Sequence, residues 1–262
     1  MNSSEKLIAL LKILSLPPYE HGVTELGEKI ECGKSGTFKL LSVLLKNGFA
    51  TQNSNSKYSL GISTYLIGRT YEEYVGITNF IKPYLVELRD LINENVNLGM
   101  IVDGKATIIC RVESNQLLRI SGSIGATRPF YTSAMGKVLA AFEESKTIAK
   151  RLASEPVQSF TDKTITSPDK ILAELAKIRE TGYAISDEEY AHEAFGIGAP
   201  ILDSQGKVLA AISIGVPKTR IDGEKTEQYI ALLLKTASKV HDGLCFSDIS
   251  TPATSKIEQL KT

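Results

Sequence analysis

The sequence predicts an α+β protein in two parts: a small helical part that ends in a hairpin, and a larger part in which antiparallel strands and helices mix. Apolar residues recur at helical spacing through the first 48 residues. Between Val96 and Val112, two strand-like runs flank Asp103-Gly104, a dipeptide that suits a tight hairpin turn. With 262 residues, of which 42% are apolar and 23% charged, the chain is long enough for two modest cores.

Three helices are predicted at the N-terminus, over residues 4–16, 24–31 and 33–48. Cys32-Gly33 supplies a tight turn between the second and third helices. After Gly48, the short runs 49–52 and 57–60 read as a hairpin around an Asn-Ser turn. The order helix, turn, helix and hairpin predicts a winged helix-turn-helix.

The third helix has two distinct faces when it is wound at 3.6 residues per turn. One face is apolar and the other is polar, with Ser35, Lys39, Ser42 and Lys46 in one line and no acidic residue between them. Lysines and hydroxyls on such a face can contact phosphates and base edges in a DNA major groove. The alternative is an ordinary surface helix with a solvated face.

Charge placement favours a local DNA surface over a global one. The chain has 30 basic and 30 acidic residues, so its net charge of +0 gives no overall basic field. Within residues 1–60, every glutamate precedes Gly33, whereas Lys34, Lys39, Lys46 and Lys57 follow it. The basic charge therefore gathers on the third helix and the hairpin.

The second part is predicted to begin after a connecting helix at 62–75. Because of Pro83, the next regular helix is expected to start at Ile81 or Lys82. Strands are then predicted at 96–102, 106–112 and 117–121, followed by helices at 134–142 and from Pro168 to Gly182, a strand pair at 198–203 and 208–215, and a final helix at 223–244.

Other classes of protein find little support. Three dispersed cysteines fit neither a disulfide framework nor a paired zinc motif, and no apolar run approaches the length of a membrane span, so a cytoplasmic protein is expected. Gly33-Lys34-Ser35 imitates a phosphate loop, but Glu28 stands at its first glycine position. Glu189 with His192, and His241 with Cys245, have metal-ligand spacing as isolated pairs only. No catalytic residue, cofactor or metal is predicted.

Several ordered motifs resemble the isocitrate lyase regulator (IclR) family of bacterial transcription factors. They are KSGTFKLL at 34–41, YSLG at 58–61, PFYTSAMGK at 129–137, GYA at 182–184, DEE at 187–189, APILD at 199–203 and AISI at 211–214. The resemblance implies a winged helix-turn-helix at 1–61, a linker helix at 62–76 and an effector-binding domain at 77–247. The polar composition after Ser247 predicts a disordered tail at 248–262. The effector domain is expected to be GAF-like, with a curved antiparallel sheet flanked by helices.

The resemblance, together with the polar face of the third helix, also implies two sets of functional residues. Those expected to contact DNA are Lys34, Ser35, Thr37, Phe38, Lys39, Ser42, Lys46 and Lys57. Those expected to line an effector pocket are Ser133, Ala134, Met135, Gly136, Ser186, Asp187, Gly196, Ser213 and Gly215. Free backbone N–H groups where the helix at 134–142 begins would suit a carboxylate.

The expected function is a ligand-responsive DNA-binding transcriptional regulator without enzymatic activity. Its expected partners are a palindromic double-stranded DNA operator, a small organic acid or aromatic effector, and further copies of the chain in a homodimer or dimer of dimers; no membrane is involved. A small-molecule-binding enzyme and a winged-helix protein-interaction module remain the alternatives.

Overall fold

The computed structural model describes residues 1–102, 104–154, 156–203 and 205–246. Asp103 of the predicted hairpin turn and the polar tail predicted at 248–262 lie outside the described residues. The chain divides into two compact units, Met1–Gly76 and Ile77–Thr262. No helix in the described ranges is both long and apolar enough to cross a membrane.

The first unit is a winged helix-turn-helix followed by one further helix, as the sequence predicts. Its elements are α1 (Ser3–Leu14), α2 (Val23–Lys29), α3 (Lys34–Lys46), β1 (Ala50–Gln52), β2 (Tyr58–Leu60) and α4 (Ile62–Val75). Leucines of α1, α2 and α3 meet in one core, with Tyr58 of the hairpin almost wholly buried beside them. That core fixes α3 across the other two helices and leaves its polar face outward.

The second unit is a six-stranded, curved antiparallel sheet with helices on both faces. Its elements are α5 (Ile77–Ile92), β3 (Asn95–Val102), β4 (Lys105–Val112), β5 (Thr127–Arg128), α6 (Ala134–Ala141), α7 (Ser145–Ser154), α8 (Pro168–Thr181), β6 (Ala184–Asp187), β7 (Ala194–Leu202), β8 (Val208–Pro217) and α9 (Gly223–Phe246). The strand order is β5-β4-β3-β8-β7-β6. One core joins α5 and α9 to the sheet, and a second joins α6 and α8 to its other face.

Helix α5 begins at Ile77, four or five residues before the predicted start, and contains Pro83. A proline inside a helix removes one hydrogen bond and costs about 3 kcal/mol. The helix nevertheless buries an apolar stripe that starts at Ile77 and continues through Ile81 and Leu85 to Ile92. Burying each such side chain contributes roughly 1.5–3 kcal/mol, so the stripe outweighs the proline.

The prediction of a strand at 117–121 is wrong, because this segment belongs to an irregular loop that comprises residues 113–126. Leu117 and Leu118 are exposed, so the segment buries no apolar face of its own. The carbonyl oxygen of Ile120 accepts hydrogen bonds from the side chains of Asn95 and Arg111, and not from the backbone N–H of a neighbouring strand. Of the α-helices and strands given above, β5, α7 and β6 lie outside the predicted set.

In the first unit, an ion-pair cluster ties the start of α2 to the hairpin. His21 is buried, exchanges backbone hydrogen bonds with Tyr58, and places its Nδ1 2.6 Å from Glu25 Oε1. Lys29 Nζ donates to the same carboxylate at 2.8 Å. The hydrogen bonds from Lys29 and then His21 lower the pKa of Glu25 to about 2.

This cluster predicts an acid-sensitive contribution to stability. Because the folded-state pKa of Glu25 lies below its unfolded value of about 4.5, its contribution is complete above pH 4.5 and is lost as the pH falls towards 2. The unfolding temperature of the wild type should exceed that of Glu25→Gln at pH 6, and calorimetry should show the difference shrinking towards pH 2. Glu28→Gln on the same helix is the control, and an unchanging difference for Glu25→Gln would contradict the assignment.

Candidate functional site

The predicted DNA-binding residues lie mostly on one exposed surface of α3 and the hairpin. Six of them are exposed: Lys34, Ser35, Phe38, Lys39, Lys46 and Lys57. Within the described residues, the four lysine ammonium groups of this set form no ion pair. Val43 is also exposed, beside the line formed by Lys39 and Lys46. The surface therefore combines unneutralised cations with the apolar side chains of Phe38 and Val43.

Thr37 and Ser42 have different environments from those expected. Thr37 is fully buried, and its hydroxyl donates to the carbonyl oxygens of Cys32 and Gly33 at 3.2 Å each. It therefore fixes the turn before α3 and is not available to DNA, which corrects the sequence-based assignment. Ser42 is half-buried, and its hydroxyl donates to the carbonyl of Phe38 one turn earlier.

The second unit contains a cavity of about 390 Å³ between the sheet, the N-terminus of α6 and the 113–126 loop. This volume suits a small organic ligand. Seven of the predicted effector-binding residues line it: Ser133, Ala134, Met135, Ser186, Gly196, Ser213 and Gly215.

The N-terminus of α6 presents hydrogen-bond donors to this cavity. Ser133 caps the helix by accepting from the N–H of Gly136 at 3.1 Å. The N–H groups of Ala134 and Met135, both on the cavity wall, have no acceptor among the described residues. Such free N–H groups, reinforced by the helix dipole, attract a carboxylate.

Glycines on β7 and β3 allow α6 to lie directly on the sheet. A Cβ at Gly198 would stand 2.8 Å from the carbonyl oxygen of Ala134, and one at Gly99 would collide with the side chain of Met135. At Gly215, the free space is occupied by Ile120 from the loop, 3.6 Å from an ideal Cβ. The close approach fixes the donors of α6 against the cavity.

Two of the predicted effector contacts, Asp187 and Gly136, fall outside the cavity wall. Ser186 and Asp187 are adjacent on strand β6, so their side chains point to opposite faces. Ser186 faces the cavity and donates to the carbonyl of Thr132 at 2.8 Å, whereas Asp187 pairs with Lys218 at 2.6 Å. Gly136 lies deeper in α6, against the backbone of Phe130.

Several cavity residues were not predicted from the sequence, and the most informative is Arg111. On a regular strand, Ile108 and Arg111 would point to opposite faces because they are three residues apart. A β-bulge in β4 shifts the register between the pairs Leu98–Cys110 and Gly99–Ile108. Both Ile108 and Arg111 consequently line the cavity.

Other polar residues of the cavity wall also lay outside the prediction: Asn97, Arg119, Ser121, Arg128, Thr132, Tyr190 and His192. The guanidinium of Arg128 stacks 4.3 Å from the ring centre of Tyr190. An arginine within an otherwise apolar strand such as IICRV is the sequence signal that could have identified Arg111.

A buried ion pair holds α6 to the connection between β6 and β7. Lys137 Nζ donates to Glu189 Oε1 at 2.5 Å and to the carbonyl of Ile185 at 3.1 Å. Burial raises the pKa of Glu189, although Lys137 opposes that effect. This pair fixes the segment that carries Tyr190 and His192 to the cavity. It also engages Glu189, one of the two residues considered above as a metal-binding pair with His192.

The second spacing considered for a metal, His241 with Cys245, has no third ligand within the described ranges. His241 Nδ1 lies 2.8 Å from the carbonyl oxygen of Leu202, and its Nε2 lies 3.7 Å from Cys245 Sγ. The imidazole therefore joins α9 to β7.

A winged helix-turn-helix and a separate α+β unit with a ligand-sized cavity together define a class of transcriptional regulators with a C-terminal effector domain. The family model for the bacterial transcriptional regulator IclR C-terminal domain matches residues 70–242. The chain belongs to the IclR family.

Relatives and solved structures agree with this assignment over nearly the whole chain. The HTH-type transcriptional regulator KdgR of Escherichia coli (strain K12) is 29% identical over 95% of this chain and 94% of its own length. The crystal structure of the Thermotoga maritima IclR is 27% identical, with a TM-score of 0.74 over 94% of this chain and 99% of that one. An IclR homologue from Microbacterium hydrocarbonoxydans, complexed with 4-hydroxybenzoate, has a TM-score of 0.81 at 17% identity over 94% of this chain and 100% of that one.

The packing of α6 predicts different tolerances for two neighbouring glycines. Gly198→Ala should destabilise the second unit by about 1–3 kcal/mol, because its methyl group meets the helix backbone. Gly196→Ala is the matched control, since its Cβ would lie 3.5 Å from Ala134 Cβ, an ordinary contact. Urea unfolding of both variants tests this, and equal stabilities would show that α6 does not depend on the close approach.

Proposed function

We propose that the chain is a ligand-responsive transcriptional regulator that binds a palindromic operator through α3 and the hairpin, and a small carboxylate-bearing effector in the cavity. The observation that carries the effector assignment is the pair of unsatisfied N–H groups of Ala134 and Met135 on the cavity wall. A carboxylate would satisfy both and gain charge-assisted hydrogen bonds. Relatives named as transcriptional regulators support the DNA-binding role.

The exposed surface of α3 supports operator reading. Lysines supply phosphate contacts, Ser35 offers a hydroxyl to base edges, and Phe38 offers an apolar contact to thymine methyl groups. The lysines form no ion pair among the described residues, so their full charge is available to DNA. A single recognition helix reads only a few base pairs, so useful specificity requires two half-sites and therefore at least two copies of the chain.

The surface of α4 supports association between copies. This 14-residue helix exposes apolar or aromatic side chains at Ile62, Tyr65, Leu66, Ile67 and Tyr71, each between 57% and 66% exposed. Contiguous apolar surface of this kind commonly marks a protein interface. A homodimer or dimer of dimers would cover it and set the spacing of two recognition helices.

Binding of DNA upstream of its own coding sequence, measured by mobility shift with and without competitor DNA, tests the regulatory function directly. Specific binding that competitor DNA does not remove is expected. A thermal-shift screen of small organic and aromatic acids then tests the effector class, and it should include 4-hydroxybenzoate, the compound in the Microbacterium hydrocarbonoxydans complex. Absence of specific DNA binding would favour the interaction-module alternative.

Two lysines should differ in their effects on DNA binding. Lys39→Ala removes a cation at the centre of the exposed face of α3, so specific binding should weaken by about 1 kcal/mol or more while non-specific binding changes less. Lys57→Ala on the hairpin should weaken both equally and lower the salt slope by roughly one. Fluorescence anisotropy across salt concentrations measures both constants.

Lys170→Ala is the control for these two variants, because Lys170 is an exposed lysine of the second unit and its replacement makes the same change in charge. An unchanged ratio of specific to non-specific affinity in Lys39→Ala would remove Lys39 from base reading.

A substitution on the cavity floor should separate effector binding from DNA binding. Ser213→Leu places a larger side chain into the cavity, so effector binding should be lost while operator binding persists without an effector response. Ser213→Ala is the matched variant, since it removes the hydroxyl and keeps the space. Calorimetry that gave Ser213→Leu wild-type effector affinity would place the effector elsewhere.

A further inference from the structure

A buried guanidinium on the cavity wall lacks part of its hydrogen bonding. The side chain of Arg111 is 7% exposed, and its Nη1 and Nη2 donate to Asn97 Oδ1 and to the carbonyl of Ile120. Its Nε has no hydrogen-bond partner, although it forms a long ion pair with Glu113, whose Oε1 lies 3.6 Å away on a side chain that is 54% exposed. A buried, incompletely paired cation is costly, and an anion from the cavity would relieve that cost.

The charge of the cavity wall has one sign. Arg111, Arg119 and Arg128 line it, and no aspartate or glutamate is found among its described lining residues. Arg119 is already paired with Glu113 at 3.2 Å, and Arg128 stacks on Tyr190. Arg111 is therefore the cation that is both buried and left with an unused donor.

The sheet register places Arg111 and the N-terminus of α6 at opposite ends of one row of residues. Arg111 pairs with Asn97 on β3, Asn97 pairs with Ser213 on β8, and Ser213 pairs with Gly198 on β7. The start of α6 lies on Gly198. Asn97 and Ser213 thus form a polar floor between two sets of anion donors in one cavity.

We infer that the effector carries two acidic groups, one bound by the N–H groups of Ala134 and Met135 and the other by the guanidinium of Arg111. The inference rests on the proposed function, because it takes the cavity as the effector site. The ligand class is a small molecule with two anionic groups, either a dicarboxylate or a carboxylate with a phosphate group. The planar fork of arginine suits both acids.

Calorimetry on the full chain with matched compounds tests this inference. The pairs are benzoate with terephthalate, butyrate with succinate, and glycolate with 2-phosphoglycolate. At least one compound with two anionic groups should bind about tenfold or more tightly than its partner with one, as expected for one added charge-assisted contact. The pair that shows the preference identifies the second group as carboxylate or phosphate.

Three variants assign the preference to Arg111. Arg111→Gln should abolish it. Asn97→Asp should also abolish it, because an acid beside the guanidinium neutralises the subsite while Arg111 stays in place to hold Ile120. Arg119→Gln is the control, which removes a more exposed cation from the same wall and should leave the preference intact.

Each result has a defined consequence. Equal affinity of wild type for both members of every pair overturns the inference and leaves the proposed carboxylate site standing. An equal loss of preference in Arg119→Gln shows a general charge effect and overturns the assignment to Arg111. Failure of all six compounds to bind removes both the inference and the proposed effector class.

Discussion

The close approach of α6 to the sheet is the constraint on which the rest of the second unit depends. The helix can reach β7 because Gly198 has no Cβ to meet the helix backbone, and Gly99 on β3 leaves room for the side chain of Met135. This contact brings the unsatisfied N–H groups of Ala134 and Met135 to the cavity wall. It also sets the depth at which Lys137 meets Glu189, and so the position of the segment between β6 and β7.

The same cavity depends on polar groups that the fold has to satisfy. The 113–126 loop covers the sheet without adding a strand, because side chains on β3 and β4 bond its backbone. Glu94 and Arg220 extend this support, with Arg220 donating to both carboxylate oxygens and to the carbonyl of Leu118. A loop held in this way is defined in position and still leaves space beneath it for a ligand.

The first unit solves a different physical problem, which is to present positive charge on a chain without net charge. Within residues 1–60 the glutamates all lie before α3, and two of them are used internally: Glu5 in the capping box of α1 and Glu25 beside His21 and Lys29. The cations of α3 and the hairpin remain exposed. Local placement of charge therefore achieves what the overall composition does not.

The sequence by itself determined the order of the main elements, the winged helix-turn-helix and seven of the residues that line the cavity. Periodicity and turn residues are local signals, so α3, the hairpin and the helix after Ser167-Pro168 could be identified from them. The tertiary structure decided the rest, because burial and register depend on distant partners. Only the packed turn shows that Thr37 is internal, and only the bulge in β4 turns Arg111 towards the cavity.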